Sequence, residues 1–214
     1  MEVNDLCVII IYNCYRKGVV NIKSKIEHFL REFLKIENEN VVKKLAENGE
    51  IIHLKAKEVL FCQGCKPEYM CFLLSGIMRS FVINENGVDL TECFDFKEGC
   101  PVVPSIPINA PASVNVEANV DSTLLAFPVE IIWEFMNTDV AISQMYNMAL
   151  CYSMQKYVQF ARVLIKSDAT ERYKWFLSEH SELNGKVSCK DIASYLNMSP
   201  VTLSNIKKKL NENL

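Results

Sequence analysis

The sequence predicts a mixed α+β chain: a small β-barrel or sandwich, then one long helix, then a C-terminal helix-turn-helix. Three observations carry this. Between Ile51 and Phe127 apolar residues fall in short period-two runs separated by turn signals. From about Thr138 to Ile165 the period becomes helical and stays unbroken. From Ser188 to Leu210 two short helical segments, each with its own cap, flank a single turn.

The 214 residues suffice for one large domain or two small ones, and half of them are apolar, so a real core can form. The net charge of −3 excludes a polycation, but the charge is uneven. Lys166 to Leu214 hold eight Lys and Arg against six Asp and Glu, whereas residues 1–165 hold fifteen against twenty. A mildly basic end on an acidic body fits a nucleic-acid-binding module joined to another domain. Nine cysteines without a signal peptide point to a reducing interior, not a disulfide scaffold. The early apolar run Cys7–Tyr12 is too short to span a membrane, so a cytosolic protein without membrane association is expected.

Residues 1–22 read as an N-terminal extension of ambiguous pattern. Ile22, Ile26, Phe29, Leu30, Phe33 and Leu34 mark an amphipathic helix, and Asn38–Ala46 a second short one ending near Gly49. Strands follow at Ile51–Leu54, Val59–Cys62, Met70–Leu74, Ile77–Ile83, Leu90–Phe96, Ser113–Val116 and Thr123–Phe127. Gln63-Gly64, Lys66-Pro67, Ser75-Gly76, Asn86-Gly87 and Glu98-Gly99 are the turns between them. Pro101, Pro104, Pro107 and Pro111 exclude a helix or a central strand between Gly99 and Ala112.

Residues from Val129 to about Lys166 are helical, with one helix from about Thr138 to Ile165. Ile142, Met145, Ala149 and Tyr152 form one apolar stripe; Leu150, Met154, Tyr157, Ala161 and Leu164 form another. Two apolar faces need two partners, the β-domain and the same helix of a second subunit. The plainer alternative is a single buried core helix. Ser167 or Asp168 caps the next helix, Ala169–His180.

In the last segment Ser188 caps one helix, with Asp191 as a capping-box partner, and Asn197 supplies the left-handed turn. Ala193 is small enough for a steep helix crossing. Ser199 caps the second helix and Pro200 takes its first position. Leu203, Ile206 and Leu210 point inward; Val201, Thr202, Asn205 and Lys208 point out. The second helix is the one that would lie in a DNA major groove, and the plain alternative is an ordinary helical hairpin.

This order of elements resembles the Crp–Fnr family of bacterial transcription regulators. Glu58-Val-Leu-Phe-Cys-Gln-Gly64 is similar to the family's strand-turn G-x-x-[IL]-F-x-x-G. Cys71-Phe-Leu-Leu-Ser-Gly-Ile-Met-Arg79 is similar to its LxxGxVR strand, and Ala112–Ala118 with Ser122–Phe127 to its last two barrel strands. Asp191–Ile206 is similar to its helix-turn-helix. The resemblance covers about residues 25–212 and implies a double-stranded β-helix (jelly-roll-like) sensor barrel, a dimerisation helix and a winged helix-turn-helix. The implied division is an extension (1–22), a cyclic-nucleotide-binding-like sensor domain (23–137), the dimerisation helix (138–165) and a DNA-binding domain (166–214).

Two departures shape the expected function. Family members that bind cyclic AMP hold its phosphate with a Gly-Glu pair and an Arg about ten residues on; here Val102 and Ala112 stand near those positions. No Arg or Lys occurs from Gly99 to Glu130, so an anionic phosphate lacks its cation. The expected effector is apolar or weakly polar, if there is one, with Val102, Val103, Ala112 and Ser113 as its pocket residues. Many members read bases with a Glu and an Arg four residues apart; here Val201 and Asn205 match those positions. Asn205 suits an adenine edge and Val201 a thymine methyl. Ser188, Ser199, Thr202, Ser204, Lys207 and Lys208, with Lys209, suit phosphates.

Cys62-x2-Cys65-x5-Cys71 has the ligand spacing of Fnr-type iron–sulfur sensors, but within the barrel and not in an arm before it. The plain reading is small buried hydrophobes, with no cofactor. A Cys62–Cys65 thiol enzyme lacks a general base and a βαβ context. His28, His53 and His180 are scattered and are taken as surface or helix-end residues; no HExxH, GxSxG, phosphate loop or paired-carboxylate site is present. The expectation is a non-enzymatic, homodimeric regulator that binds double-stranded DNA at an inverted repeat and answers to an unidentified small molecule. The alternative is a redox or iron–sulfur sensor of the same fold.

Overall fold

A computed structural model describes residues 22–211. The expected N-terminal extension lies outside them but for Ile22. Helix α1 (Ile22–His28) continues into a wider π-helical turn, Phe29–Phe33. Helix α2 (Glu39–Asn48) starts where the Asn38 side chain accepts hydrogen bonds from the Asn40 and Val41 amides. Ile26, Phe29, Leu30, Val42 and Leu45 are buried against Phe72, Leu125 and Phe127 of the sheet behind them.

Eight strands follow: β1 (Glu50–Leu54), β2 (Val59–Phe61), β3 (Tyr69–Ser75), β4 (Met78–Ile83), β5 (Asp89–Asp95), β6 (Pro101–Val102), β7 (Asn115–Ala118) and β8 (Ser122–Pro128). They form two antiparallel sheets, ordered β1-β8-β3-β6 and β2-β7-β4-β5, a jelly-roll sandwich. Cys71, Leu73, Met78, Val116, Leu124 and Ala126 fill the space between them. β6 is the strand that period-two patterning did not mark. It is two residues long and pairs only with β3, Cys71 opposite Val102, on the sheet edge where proline costs no ladder bond. The Ser75-Gly76 turn requires glycine: φ is +105°, and a Cβ there would lie 2.2 Å from Ser122 Oγ.

The helical stretch after the barrel is two helices, α3 (Val129–Met136) and α4 (Val140–Lys166). Asp139 separates them and caps α4, accepting from the Ala141 and Ile142 amides. Ile142, Met145, Tyr146 and Ala149 of α4 are buried on the barrel side, while Met148 (70 %) and Ile165 (83 %) are exposed. Helix α5 (Ala169–Glu179) opens with an Asp168–Glu171 capping box. After a 3₁₀ turn, Ser181–Leu183, come α6 (Cys189–Tyr195) and α7 (Pro200–Asn211). The wing implied by the resemblance has no strand among the described residues after β8. The core of these helices, with Phe176, Leu196 and Leu203, is continuous with Ile77 and Phe94 of the barrel.

Candidate nucleic-acid interface and effector cavity

The pair α6–α7 has the geometry of a helix-turn-helix. Ser188 Oγ accepts from the Asp191 amide at 3.0 Å, and Ala193 is fully buried at the crossing. Asn197 adopts φ +50°, and the Met198 amide reaches back to the Ala193 carbonyl at 2.9 Å. Ser199 Oγ accepts from the Thr202 amide at 3.0 Å and lies 2.8 Å from Thr202 Oγ1. Leu203 and Ile206 are buried. Val201 (69 % exposed), Ser204, Asn205 and Lys208 stand on the outer surface, with Thr202 half-buried beside them. Several assigned phosphate contacts also bond within the chain, Ser199 and Thr202 with each other. The Ser188 hydroxyl is the cap of α6, and Lys207 Nζ turns back to Cys189 Sγ at 3.2 Å and lies 5.7 Å from the Tyr173 ring centroid.

Asp191 is not the capping-box partner expected of it. Its carboxylate faces the barrel, where it accepts from Asn119 Nδ2 at 3.2 Å and lies 3.5 Å from Arg79 Nη1 and 3.7 Å from Lys57 Nζ. Arg79 in turn grips Asp89 with two bonds of 2.7 and 2.8 Å and donates to Glu117 at 3.0 Å. Burial works against the Arg79 charge, but the hydrogen bond to Asp89 and the carboxylates of Asp191 and Glu117 more than offset it and raise its pKa. One turn along α6, Ser194 Oγ accepts from the Thr91 amide at 2.8 Å and donates to the Asp89 carbonyl at 3.3 Å. The first helix of the helix-turn-helix is thus fastened to β4, β5 and Asn119 just past β7, and the outer face of the second is left open.

Beside this junction lies a cavity of about 320 Å³, walled by β5, the proline-rich segment, the middle of α4 and Tyr195. Of the expected pocket residues, Val103 and Ser113 line it. Val102 instead belongs to the sandwich core, and Ala112 is buried, with its backbone bonded to Cys65 and Gly64. Sequence reasoning missed Glu92, Asp95, Ser105, Lys156 and Tyr195. Lys156 carried a signal: it stands four residues from both Tyr152 and Phe160, a charge set within an apolar helix face. It pairs with Asp95 and donates to the Phe94 carbonyl at 3.0 Å. Phe160 and Tyr195 stack at 4.3 Å between centroids, joining α4 to α6.

The cysteine triplet does not converge. Cys62 and Cys65 are exposed on one turn, with the Cys65 amide 3.1 Å from the Cys62 carbonyl. Cys71 is fully buried in the sandwich, and burial pushes its thiol far above the usual range. Among the described residues no group of three or more His, Cys, Asp or Glu is placed to hold a metal ion. His180, taken as a helix-end residue, does end α5, but it packs among the rings of Phe96, Trp175, Phe176 and Tyr195.

Residues 51–139 match the cyclic nucleotide-binding domain family. FixK2 from Bradyrhizobium japonicum superposes with a TM-score of 0.70 at 16 % identity, covering 77 % of this chain and 85 % of that one. A protein assigned to the Crp/Fnr family of transcriptional regulators, from Eubacterium rectale, gives 0.69 at 17 % identity, covering 82 % and 84 %. The chain has the Crp/Fnr fold. The c-di-GMP-responsive regulator CLP from Xanthomonas campestris shares that fold too, with a TM-score of 0.65 at 16 % identity and coverage of 82 % and 93 %. No curated protein matches the sequence. Within the Crp/Fnr layout the cavity lies between the cyclic nucleotide-binding sandwich and the long helix, and α7 is the exposed second helix of the C-terminal pair.

Proposed function

We propose that this chain is a homodimeric, DNA-binding transcription regulator of Crp–Fnr type, acting in the cytosol and controlled by a small molecule other than cyclic AMP. On this reading residues 23–137 sense, 138–165 dimerise and 166–214 bind DNA. The observation that carries it is the open Val201–Asn205 face of α7 on a capped helix-turn-helix. Four residues apart on a helix, these side chains enter one groove together. Asn205 reads an adenine edge and Val201 a thymine methyl, while Ser199, Thr202, Ser204 and Lys208 meet phosphates. Ser188 and Lys207 still have donors to offer phosphates, because the Ser188 hydroxyl only accepts from the Asp191 amide and the Lys207 ammonium uses one of its three N–H groups on Cys189.

The exposed apolar residues of α4 support the dimer, because Met148, Val158 and Ile165 present apolar surface to solvent in one chain. A non-nucleotide effector is supported by the cavity wall, whose single Lys is already committed to Asp95. The effector selects between two placements of the recognition helices, of which one fits half-sites about one helical turn apart.

Selection of genomic fragments by the purified chain tests this, first at low salt and then near physiological salt. An inverted repeat with A·T pairs at the positions facing Val201 and Asn205 is the expected product. G·C pairs there sink the base assignment. Failure to enrich any sequence, with and without cell-extract small molecules, sinks the regulator.

A further inference from the structure

The cavity wall carries one carboxylate more than it neutralises. Asp95 and Lys156 answer each other, and the pair holds the Lys156 ammonium well above its usual pKa although burial opposes the charge. Glu92 lines the same wall, half-buried, with no cationic partner among the described residues. Burial raises its pKa, as expected of a carboxyl that lacks a counter-ion.

A second observation comes from the other side of the cavity. Ser105 is 3 % exposed and lines the wall, and its hydroxyl is buried without a hydrogen-bond partner. Buried hydroxyls are nearly always paired, so an unpaired one on a cavity wall marks a place for a ligand atom. Tyr157, Phe160 and Tyr195 add aromatic wall, and aromatic faces attract cations. Anions find the opposite: a net negative wall and no Arg or Lys from Gly99 to Glu130.

We propose that this cavity binds a small organic ammonium ion, with Glu92 as counter-ion, the Ser105 hydroxyl as hydrogen-bond acceptor, and the rings of Tyr157, Phe160 and Tyr195 as walls. The assignment rests on reading the cavity as the effector site. It gives the ligand a lever on both moving parts, since Tyr195 ends α6 and Tyr157 and Phe160 belong to α4.

Thermal unfolding of the full chain with four probes tests it: benzylammonium, benzyl alcohol, benzoate and cyclic AMP. The first three share a ring and differ in head-group charge. At about 10 mM, benzylammonium raises Tm by about 3 °C or more, and the other probes by less than about 1 °C. Glu92→Gln, checked for native circular dichroism, abolishes the benzylammonium shift. No shift with benzylammonium, an undiminished shift in Glu92→Gln, or an equal shift with benzoate or cyclic AMP overturns the proposal. Ile106→Trp, which fills the cavity mouth, separates this from the effector reading. If benzyl alcohol or benzoate binds and Ile106→Trp blocks it, the cavity is a ligand site but not one for cations. If no probe binds and Ile106→Trp leaves DNA selection unchanged, both assignments fall.

Discussion

The Asp191 carboxylate lies 3.5 Å from Arg79 Nη1, and the two residues are only 5 % and 2 % exposed. They belong to different parts of the chain, Asp191 to the first helix of the helix-turn-helix and Arg79 to strand β4. Their bond, with Asn119 and Lys57 around it, ties the helix-turn-helix to the barrel. A buried pair of this kind is a modest source of stability when intact but costly to break, because the surviving charge is left in a poor solvent.

Replacing Asp191 with Ala therefore has a definite consequence. Arg79 keeps Asp89 and Glu117, so the expected loss of unfolding free energy is about 2–4 kcal/mol, not complete unfolding. Urea denaturation measures that loss. Limited trypsin cleavage near Lys166 should also accelerate as α6 lifts from β5. Unchanged cleavage would show that the contacts of Ser194 and Tyr195 hold the unit alone.

Acid should loosen the same junction through His180. Burial first, then the charges of Lys156 and Lys97, push its pKa down to about 4 from an ordinary 6.5. Between those values the unfolded imidazole binds a proton that the folded one refuses, so stability falls as pH drops from about 6.5 towards 4. The ring keeps some solvent access, which limits the effect to roughly 1–2 kcal/mol. His180→Phe preserves the aromatic packing and should flatten the fall of Tm between pH 6.5 and 4.5. An unaltered slope assigns the acid response to other groups.

Along α4 the exposed residues Met148, Cys151, Gln155, Val158, Arg162 and Ile165 alternate spacings of three and four, a partly apolar seam displaced from the expected stripe because Leu150, Ala161 and Leu164 are half-buried within the chain. Val158→Asp combined with Ile165→Asp should give a monomer in sedimentation analysis, with the thermal stability of the barrel little changed. Mild oxidation should join two chains through Cys151, and Cys151→Ser should prevent this. A chain that stays monomeric at high concentration removes the seam.

On α7, Asn205→Ala should weaken selected-site binding by about 10–100-fold while leaving Tm within about 1 °C, because Asn205 is exposed. Lys208→Ala should weaken binding to all sequences alike and lower the salt slope by about one. Lys207→Ala should act mainly on stability, since Lys207 bridges to Cys189 and Tyr173. A Lys207→Ala effect confined to DNA affinity would show that Lys207 serves DNA and that its intramolecular contacts add little stability.

Much of this architecture was legible in local pattern. Period-two runs located seven of the eight strands, missing only β6, because two residues on an edge leave no period to detect. Caps at Ser188 and Ser199 and the turn at Asn197 were readable because capping is a short-range hydrogen bond between near neighbours. Asp191 shows the limit of that reasoning. Three residues after Ser188 it has capping-box spacing, yet its carboxylate is taken by Arg79 and Asn119, more than 70 positions away in the chain.

The candidate cavity divides the same way. Val103 and Ser113 were found because they adjoin Val102 and Ala112, which the Crp–Fnr resemblance sets at the phosphate-binding positions, and the missing Arg near Ala112 showed what the pocket lacks. The sequence alone thus determined the element order, the helix-turn-helix and the absence of a phosphate-binding cation between Gly99 and Glu130. Only the tertiary structure decided that Glu92, Ser105, Lys156 and Tyr195 share one cavity, and that α6 is fastened to the barrel. The physical reason is range: caps, turns and periodicity act within a few residues, whereas charge pairing and burial depend on which distant surfaces the folded chain brings together.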